Sequence, residues 1–384
     1  MNLSELRHRE AFDDVLAATL ARHLTRLRHS AVEVAPSPRA PHGSTWREHR
    51  LFGAFIGPGD ATRARRFLTD LYRFSPSPTR WLPQATAATI AGSVPGFRAL
   101  SHPRLWISDA FEGRHAPLIL PGNQRVRFID FDTETVHVFQ KDGFDLRTMR
   151  SEVETRLRFA PRFLEVLNHD VAGGWFTEPF VEAWALARVP PWVNRQRARR
   201  SAEAQLESWR NATRRRLPRE EYAGRLGAEI DEASKQLETR FQSALGAQVR
   251  TLARRLLGLV RADTVEVAQS HGDFQPGNVL VRKRDLSTIL IDLEHAGERS
   301  SAYDELTYSL SSRSAAGLAD RAAAFLAADR IGPTRADAVA WFLAEDLLFF
   351  VRESLTGPFR RPSMGLGSLL GEVHRLLTMW TWPG

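Results

Sequence analysis

The stretch Ser270-His271-Gly272-Asp273-Phe274-Gln275-Pro276-Gly277-Asn278-Val279-Leu280-Val281, followed by Ile289-Leu290-Ile291-Asp292-Leu293-Glu294, decides how this chain is read. Two short apolar runs, 279–281 and 288–291, flank the polar turn Arg282-Lys283-Arg284-Asp285 and predict a β-hairpin. The hairpin would carry Asn278 in and Asp292 out at one end, setting two oxygen donors side by side despite their separation in sequence. Hard oxygen donors of this kind suit Mg²⁺, which proteins hold through one or two oxygens beside nucleotide phosphates and waters.

Asp273 stands five residues before Asn278, the D-x-x-x-x-N spacing of phosphoryl-transfer catalytic loops. In those loops the Asp accepts or orients the proton of the attacking hydroxyl, while the Asn and a later Asp hold metal. Each piece alone is a weak signal; the conjunction of H-G-D-x-x-x-x-N, a hairpin and I-D-x-E is specific. The segment resembles the catalytic core of the aminoglycoside phosphotransferase and choline kinase superfamily, small-molecule kinases on a protein-kinase-like fold. Ile291-Asp292-Leu293-Glu294-His295-Ala296-Gly297, with Tyr303-Asp304 further on, is most similar to the choline kinase branch. The resemblance implies Asp273 as catalytic base, Asn278 and Asp292 as magnesium ligands, and His271 as a brace of the loop. It makes Asp304 a structural tie between the loop and the C-terminal helices. Gly272 stands where protein kinases carry the Arg of H-R-D, and the short run from Asp292 to Asp304 leaves no room for a long activation loop. A protein substrate is therefore disfavoured.

A chain of 384 residues exceeds the usual single-core limit, so two packed lobes are expected. With no Cys, a disulfide framework and thiolate metal sites are excluded. The first ten residues are charged and lack a signal-peptide core, and the apolar segment 338–351 is interrupted by Glu345 and Asp346. A cytoplasmic location is expected. The formal charge of +8 invites an anionic partner, but only Lys141, Lys235 and Lys283 among 53 basic residues are lysines, which reads as a compositional Arg bias. No nucleic-acid partner is expected. The basic clusters at Arg195, Arg197, Arg199 and Arg200 and at Arg214, Arg215 and Arg216 read first as solvated helix faces. Contact with an anionic acceptor or surface is the sharper alternative.

The expected fold is α+β and bilobal, a protein-kinase-like fold with a small antiparallel β lobe, a large mainly helical lobe and an extra N-terminal α/β extension. The corresponding division is 1–110 for the extension, 111–183 for the nucleotide-binding small lobe and 184–384 for the catalytic large lobe. Apolar spacing predicts a helix over 3–29, a linker over 34–44, a strand over 50–56 and a helix on to Tyr72. Alternation over 118–120, 125–131 and 136–140 predicts an antiparallel meander, with Gly122 in the turn where a phosphate-covering loop belongs. Lys141 falls in the slot of the V-A-I-K lysine, which contacts the α- and β-phosphates. Its acidic partner is expected on the helix 147–159, where Glu152 and Glu154 lie about 200° apart, so only one can serve; Glu152 is favoured. Strands follow at 164–167 and 175–181, and the resemblance puts an adenine-binding hinge at 178–182, with Glu178 and Val181 as contacts. Amphipathic helices at 315–328, 335–355 and 366–380 would floor the large lobe.

The function these residues predict is an ATP- and Mg²⁺-dependent transfer of a γ-phosphoryl group to a hydroxyl of a small molecule, a saccharide or related metabolite first. Antibiotic inactivation and a catalytically silent kinase-like binding module are the alternatives.

Overall fold

Alternating side chains along the strands, apolar on both faces of a central sheet, organise the first of the two units into which the chain divides. In this computed structural model residues 3–36, 43–74, 78–109, 111, 113–327 and 333–379 are described. The first unit comprises residues 1–202 and 276–294, and the second 203–275 and 295–384.

The first unit begins with α1 (Leu3–Arg9) and α2 (Phe12–Arg28), then β1 (Val34–Pro36), β2 (Ser44–His49), β3 (Ala54–Ile56) and α3 (Thr62–Arg73). It continues through α4 (Pro78–Gly92), α5 (Val94–Leu100), β4 (Ser101–Ile107), β5 (Leu118–Pro121), β6 (Arg125–Asp130), β7 (Thr135–Gln140) and α6 (Arg147–Arg158). Next come β8 (Asn168–Asp170), β9 (Trp175–Pro179), β10 (Ala183–Ala185) and α7 (Arg195–Thr213), within which the division falls. Nine strands form one antiparallel sheet in the order β1-β4-β2-β3-β5-β6-β7-β9-β8.

This sheet corrects the expected boundary at residue 110. Ile56 of β3 pairs with Leu118 of β5, so the N-terminal strands continue the meander rather than forming a separate extension. They cover the β5 edge, which would otherwise expose unpaired backbone groups. Part of the linker expected over 34–44 falls on 37–42, outside the described residues. The strand expected at 164–167 is absent, and β8 starts at Asn168 instead. There the Arg156 guanidinium donates to the carbonyls of Leu164 (2.9 Å) and Glu165 (3.0 Å), so a side chain supplies the partners a neighbouring strand would have given.

The two faces of the sheet carry different cores. Val136 and Val138 pack with Met149 and Val153 of α6 on one face. On the other, Phe12, Leu16 and Leu20 of the N-terminal helix pack with Ile119, Val126, Phe128 and Phe139. In the second unit β11 (Arg215–Pro218) precedes α8 (Arg219–Phe241), α9 (Leu245–Leu259) and β12 (Thr264–Ser270). β13 (Val279–Arg282) and β14 (Thr288–Leu290) return to the first unit, where they form a sheet with β10, so the expected large-lobe range 184–384 is also corrected. β15 (Gly297–Ser300) joins β11 and β12, followed by α10 (Tyr303–Ser309), α11 (Leu318–Ala327), α12 (Pro333–Leu355) and α13 (Met364–Met379). The ends expected at Ala328 and Trp380 lie outside the described residues. Glu345 and Asp346 are buried in α12, and among the described residues no helix is long and apolar enough to cross a membrane.

Candidate active site

In the second unit, β12 delivers the chain into the loop at His271 through a knot of hydrogen bonds centred on Asp304. The Asp304 carboxylate, buried at the start of α10, accepts from the Ser270 hydroxyl (2.9 Å), the His271 N–H (2.8 Å) and the Gly272 N–H (2.9 Å). Three donors on one buried carboxylate fix the loop backbone, and the dipole of α10 favours an acid in its first turn. His271 is buried, and its Nδ1 accepts from the Asp273 N–H at 3.4 Å. Gly272 has φ +80°, and a Cβ there would lie 2.0 Å from the His295 carbonyl oxygen. The position that carries Arg in protein kinases can therefore hold only glycine here.

The Asp273 carboxylate is held from both sides. Arg313 donates to it from Nε at 2.5 Å, and Gln275 donates from Nε2 at 2.9 Å. Arg313 also donates to Asp346 (2.6 Å), to the Tyr303 hydroxyl (3.1 Å) and to the Gly272 carbonyl (2.9 Å), with its guanidinium over the Phe349 ring at 3.7 Å. Arg313 is thus a strut between the loop and α12, a role its sequence context did not signal.

In the first unit, the hairpin forms in the register expected of it. Val279 pairs with Leu290, and the Asn278 carbonyl accepts from the Ile291 N–H at 3.0 Å, so Asn278 and Asp292 leave the same end of the ladder. Asn278 is buried at the end of a 3₁₀ turn, and Asp292 is half-buried with φ +61°. Left-handed backbone costs a non-glycine residue about 1 kcal/mol, although Asp and Asn adopt it more readily than others. Burial pushes the Asp292 carboxyl above its ordinary pKa, against the opposing pull of Arg127, which donates directly to it.

Lys141 is where the structure departs most from the sequence reading. Side chains alternate across β7, so Val136 and Val138 face α6 while Phe139 and Lys141 face the N-terminal helices. Lys141 is fully buried and donates to Glu10, in the break between α1 and α2, with Phe12 and Phe144 around its ammonium. Neither Glu152 nor Glu154 is its partner. Glu152 accepts instead from Arg125 of β6 and from Arg156 one turn along α6 (3.2 Å). Burial disfavours the Glu152 carboxylate, and the two arginines more than offset it, so its pKa falls. The expected phosphate contact by Lys141 is corrected accordingly, because its ammonium lies on the far face of the strand.

No family model matches the chain, and no curated protein matches it. Among solved structures it is similar to a choline kinase from Streptococcus pneumoniae, at TM-score 0.46 and 14% identity, covering 68% of this chain and 94% of that one. It is also similar to a choline/ethanolamine kinase family protein from Mesorhizobium loti, at TM-score 0.43 and 15% identity, covering 77% and 95%. A third is the GDP complex of an aminoglycoside 2'-phosphotransferase, at TM-score 0.42 and 15% identity, covering 67% and 91%.

The expected hinge, 178–182, connects β9 of the large sheet to β10 of the small one. Within it the Glu182 carbonyl is taken by the Lys283 N–H and Val181 is half-buried. The Glu178 side chain accepts from Arg156 at 2.7 Å, and burial raises its pKa against that partner. Gly122 closes the β5–β6 turn, its N–H donating to the Arg125 carbonyl. Of the basic clusters, Arg214 pairs with Glu207 and Glu266 and Arg215 with Glu298, which neutralises much of the second; Arg195, Arg197, Arg199 and Arg200 are exposed. Arg125, Arg127, Glu10 and Arg313 went unrecognised in sequence. For Arg125 and Arg127, strand parity was the available signal, since counting alternate residues from Val138 puts Lys141 on the wrong face and these two β6 residues lie opposite Gln140 and Val138.

Proposed function

We propose that this chain is an ATP- and Mg²⁺-dependent phosphotransferase that moves the γ-phosphoryl group to a hydroxyl of a small molecule. The observation that carries the reading is the β13–β14 register, which brings Asp292 to the same end of the hairpin as Asn278, the residue five positions after Asp273. An amide oxygen and a carboxylate are hard donors fitted to magnesium, and the guanidinium on Asp292 marks a position where positive charge is stabilised. Asn278 and Asp292 would hold the ion, which supplies charge neutralisation to the triphosphate when bound.

Asp273 orients the acceptor hydroxyl and accepts its proton at a carboxylate oxygen. Arg313 and Gln275 fix that carboxylate so that little reorganisation is needed. Asp304 keeps the loop in shape through its three hydrogen bonds. The acceptor we favour is a saccharide or related metabolite, with the exposed arginines of α7 suited to an acidic or phosphorylated one. A silent nucleotide-binding module is the second reading, favoured by the fact that Asp273 and Asp292 each carry an arginine.

A radiolabelled γ-phosphate transfer screen over sugars, aminoglycosides and amino alcohols separates these. The proposal expects a phosphorylated product that Asp273→Asn lowers at least about 10²-fold. Nucleotide binding without transfer to any acceptor supports the silent module instead.

A further inference from the structure

With Lys141 turned away, the α6 face of the sheet still carries cations, all within the first unit. Arg127 lies opposite Val138 and Arg125 opposite Gln140 in the β6–β7 ladder, so both project on the face that Val136 and Val138 share with α6. Around them stand Glu152, Glu178, Asp292 and Glu294, with Arg156 as the third cation. Arg127 donates to Asp292 from Nη2, and its Nη1 lies 3.9 Å from where a Cβ on Gly122 would sit. Its guanidinium thus links the β5–β6 turn to Asp292. Arg125 is 97% buried: Nη1 donates to Glu152, Nε stands 3.5 Å from Glu294, and Nη2 has no hydrogen-bond partner. A buried donor without an acceptor is costly, and a ligand oxygen would satisfy it.

We propose that Arg127, backed by Arg125, is the cation that binds the β- and γ-phosphates of the nucleotide, a positive charge supplied by β6 where Lys141 at the end of β7 faces away. The proposal rests on the phosphotransferase reading and names the residue that serves its phosphate site. A guanidinium suits the place because its planar fork presents several donors at once, so it can hold Asp292 and a phosphate oxygen together where an ammonium offers a point charge. The same property explains how a turn with one glycine can suffice, since the side chain contributes contacts that a glycine-rich backbone would otherwise make.

The test is calorimetric titration of ATP and of AMP, each with Mg²⁺, into wild type, Arg127→Ala, Arg127→Lys and Lys141→Met, with circular dichroism confirming that each is folded. Arg127→Ala should weaken ATP about 10- to 100-fold, as loss of a charge-assisted bond does, and change AMP less than about threefold, because AMP lacks the phosphates concerned. Arg127→Lys should recover part of the loss, and folded Lys141→Met should bind ATP as wild type does. An Arg127→Ala chain that binds ATP normally, or loses ATP and AMP equally, overturns the inference while leaving the phosphotransferase reading intact. A wild-type chain that binds neither nucleotide removes both.

Discussion

Replacing Lys141 by Met should destabilise the protein and spare its nucleotide site, which is the reverse of what a phosphate-binding lysine would do. The side chains of Lys141 and Glu10 are both fully excluded from solvent. Removing either one leaves an uncompensated buried charge, at a cost of about 3–5 kcal/mol. Glu10 satisfies only one oxygen, since Oε2 has no hydrogen-bond partner, so the pair is not an optimised one. Replacing both together, Glu10→Gln with Lys141→Met, should therefore cost no more than about 2 kcal/mol. The resulting coupling, at least about 4 kcal/mol, is far beyond what separated residues show. Hydrogen exchange of the β7 and α2 amides reads it locally, without assuming that both units unfold together. A pH arm checks the sign. Burial depresses the Lys141 pKa, so in Glu10→Gln the unfolded chain binds more protons and stability should rise as pH climbs toward the unfolded lysine value of about 10.4. A coupling below about 1 kcal/mol, or a Lys141→Met chain of normal stability that no longer binds ATP, would refute the reasoning.

Asp304→Ala removes three hydrogen bonds from the loop; it should cost about 3 kcal/mol in the unfolding of the second unit and speed exchange at the His271 and Gly272 amides. Gly272→Ala should be still more damaging locally, because its Cβ meets a carbonyl at 2.0 Å, and soluble yield with thermal melting reads the outcome. His23, stacked on Phe139 and buried, has its pKa lowered to about 3, chiefly by desolvation. Between that value and the unfolded pKa near 6.5 the unfolded chain binds the extra proton, so stability is full above that range and is lost as pH falls. Wild type should lose about 2 kcal/mol more than His23→Gln between pH 7 and pH 5 in urea titrations, and equal losses would count against a neutral buried imidazole.

The hairpin and its flanking polar residues were legible because they depend on local pattern. Alternation in 279–281 and 288–291 and a polar turn set the register, and register places Asn278 beside Asp292. The C-terminal helices were legible from period, with ends differing by a few residues. What local pattern could not supply is which face each strand presents and which distant segment covers it. Lys141 sits in the expected slot along the chain, yet the side it faces depends on α2 packing against β6 and β7. The N-terminal hundred residues carried no motif, because their role is to lengthen the sheet beyond β5 and to bury its outer face. Arg313 was invisible for a related reason: its partners Asp273 and Asp346 belong to different elements and meet only in the fold.

The central claim, that Asn278 and Asp292 jointly hold a divalent cation with a nucleotide, is tested most directly by Mn²⁺ paramagnetic resonance in the presence of a non-hydrolysable ATP analogue. The account predicts nucleotide-dependent Mn²⁺ binding that Asn278→Ala weakens and Asp292→Ala abolishes, in chains whose hydrogen exchange outside the hairpin is unchanged. Binding that persists undiminished in Asp292→Ala would contradict it.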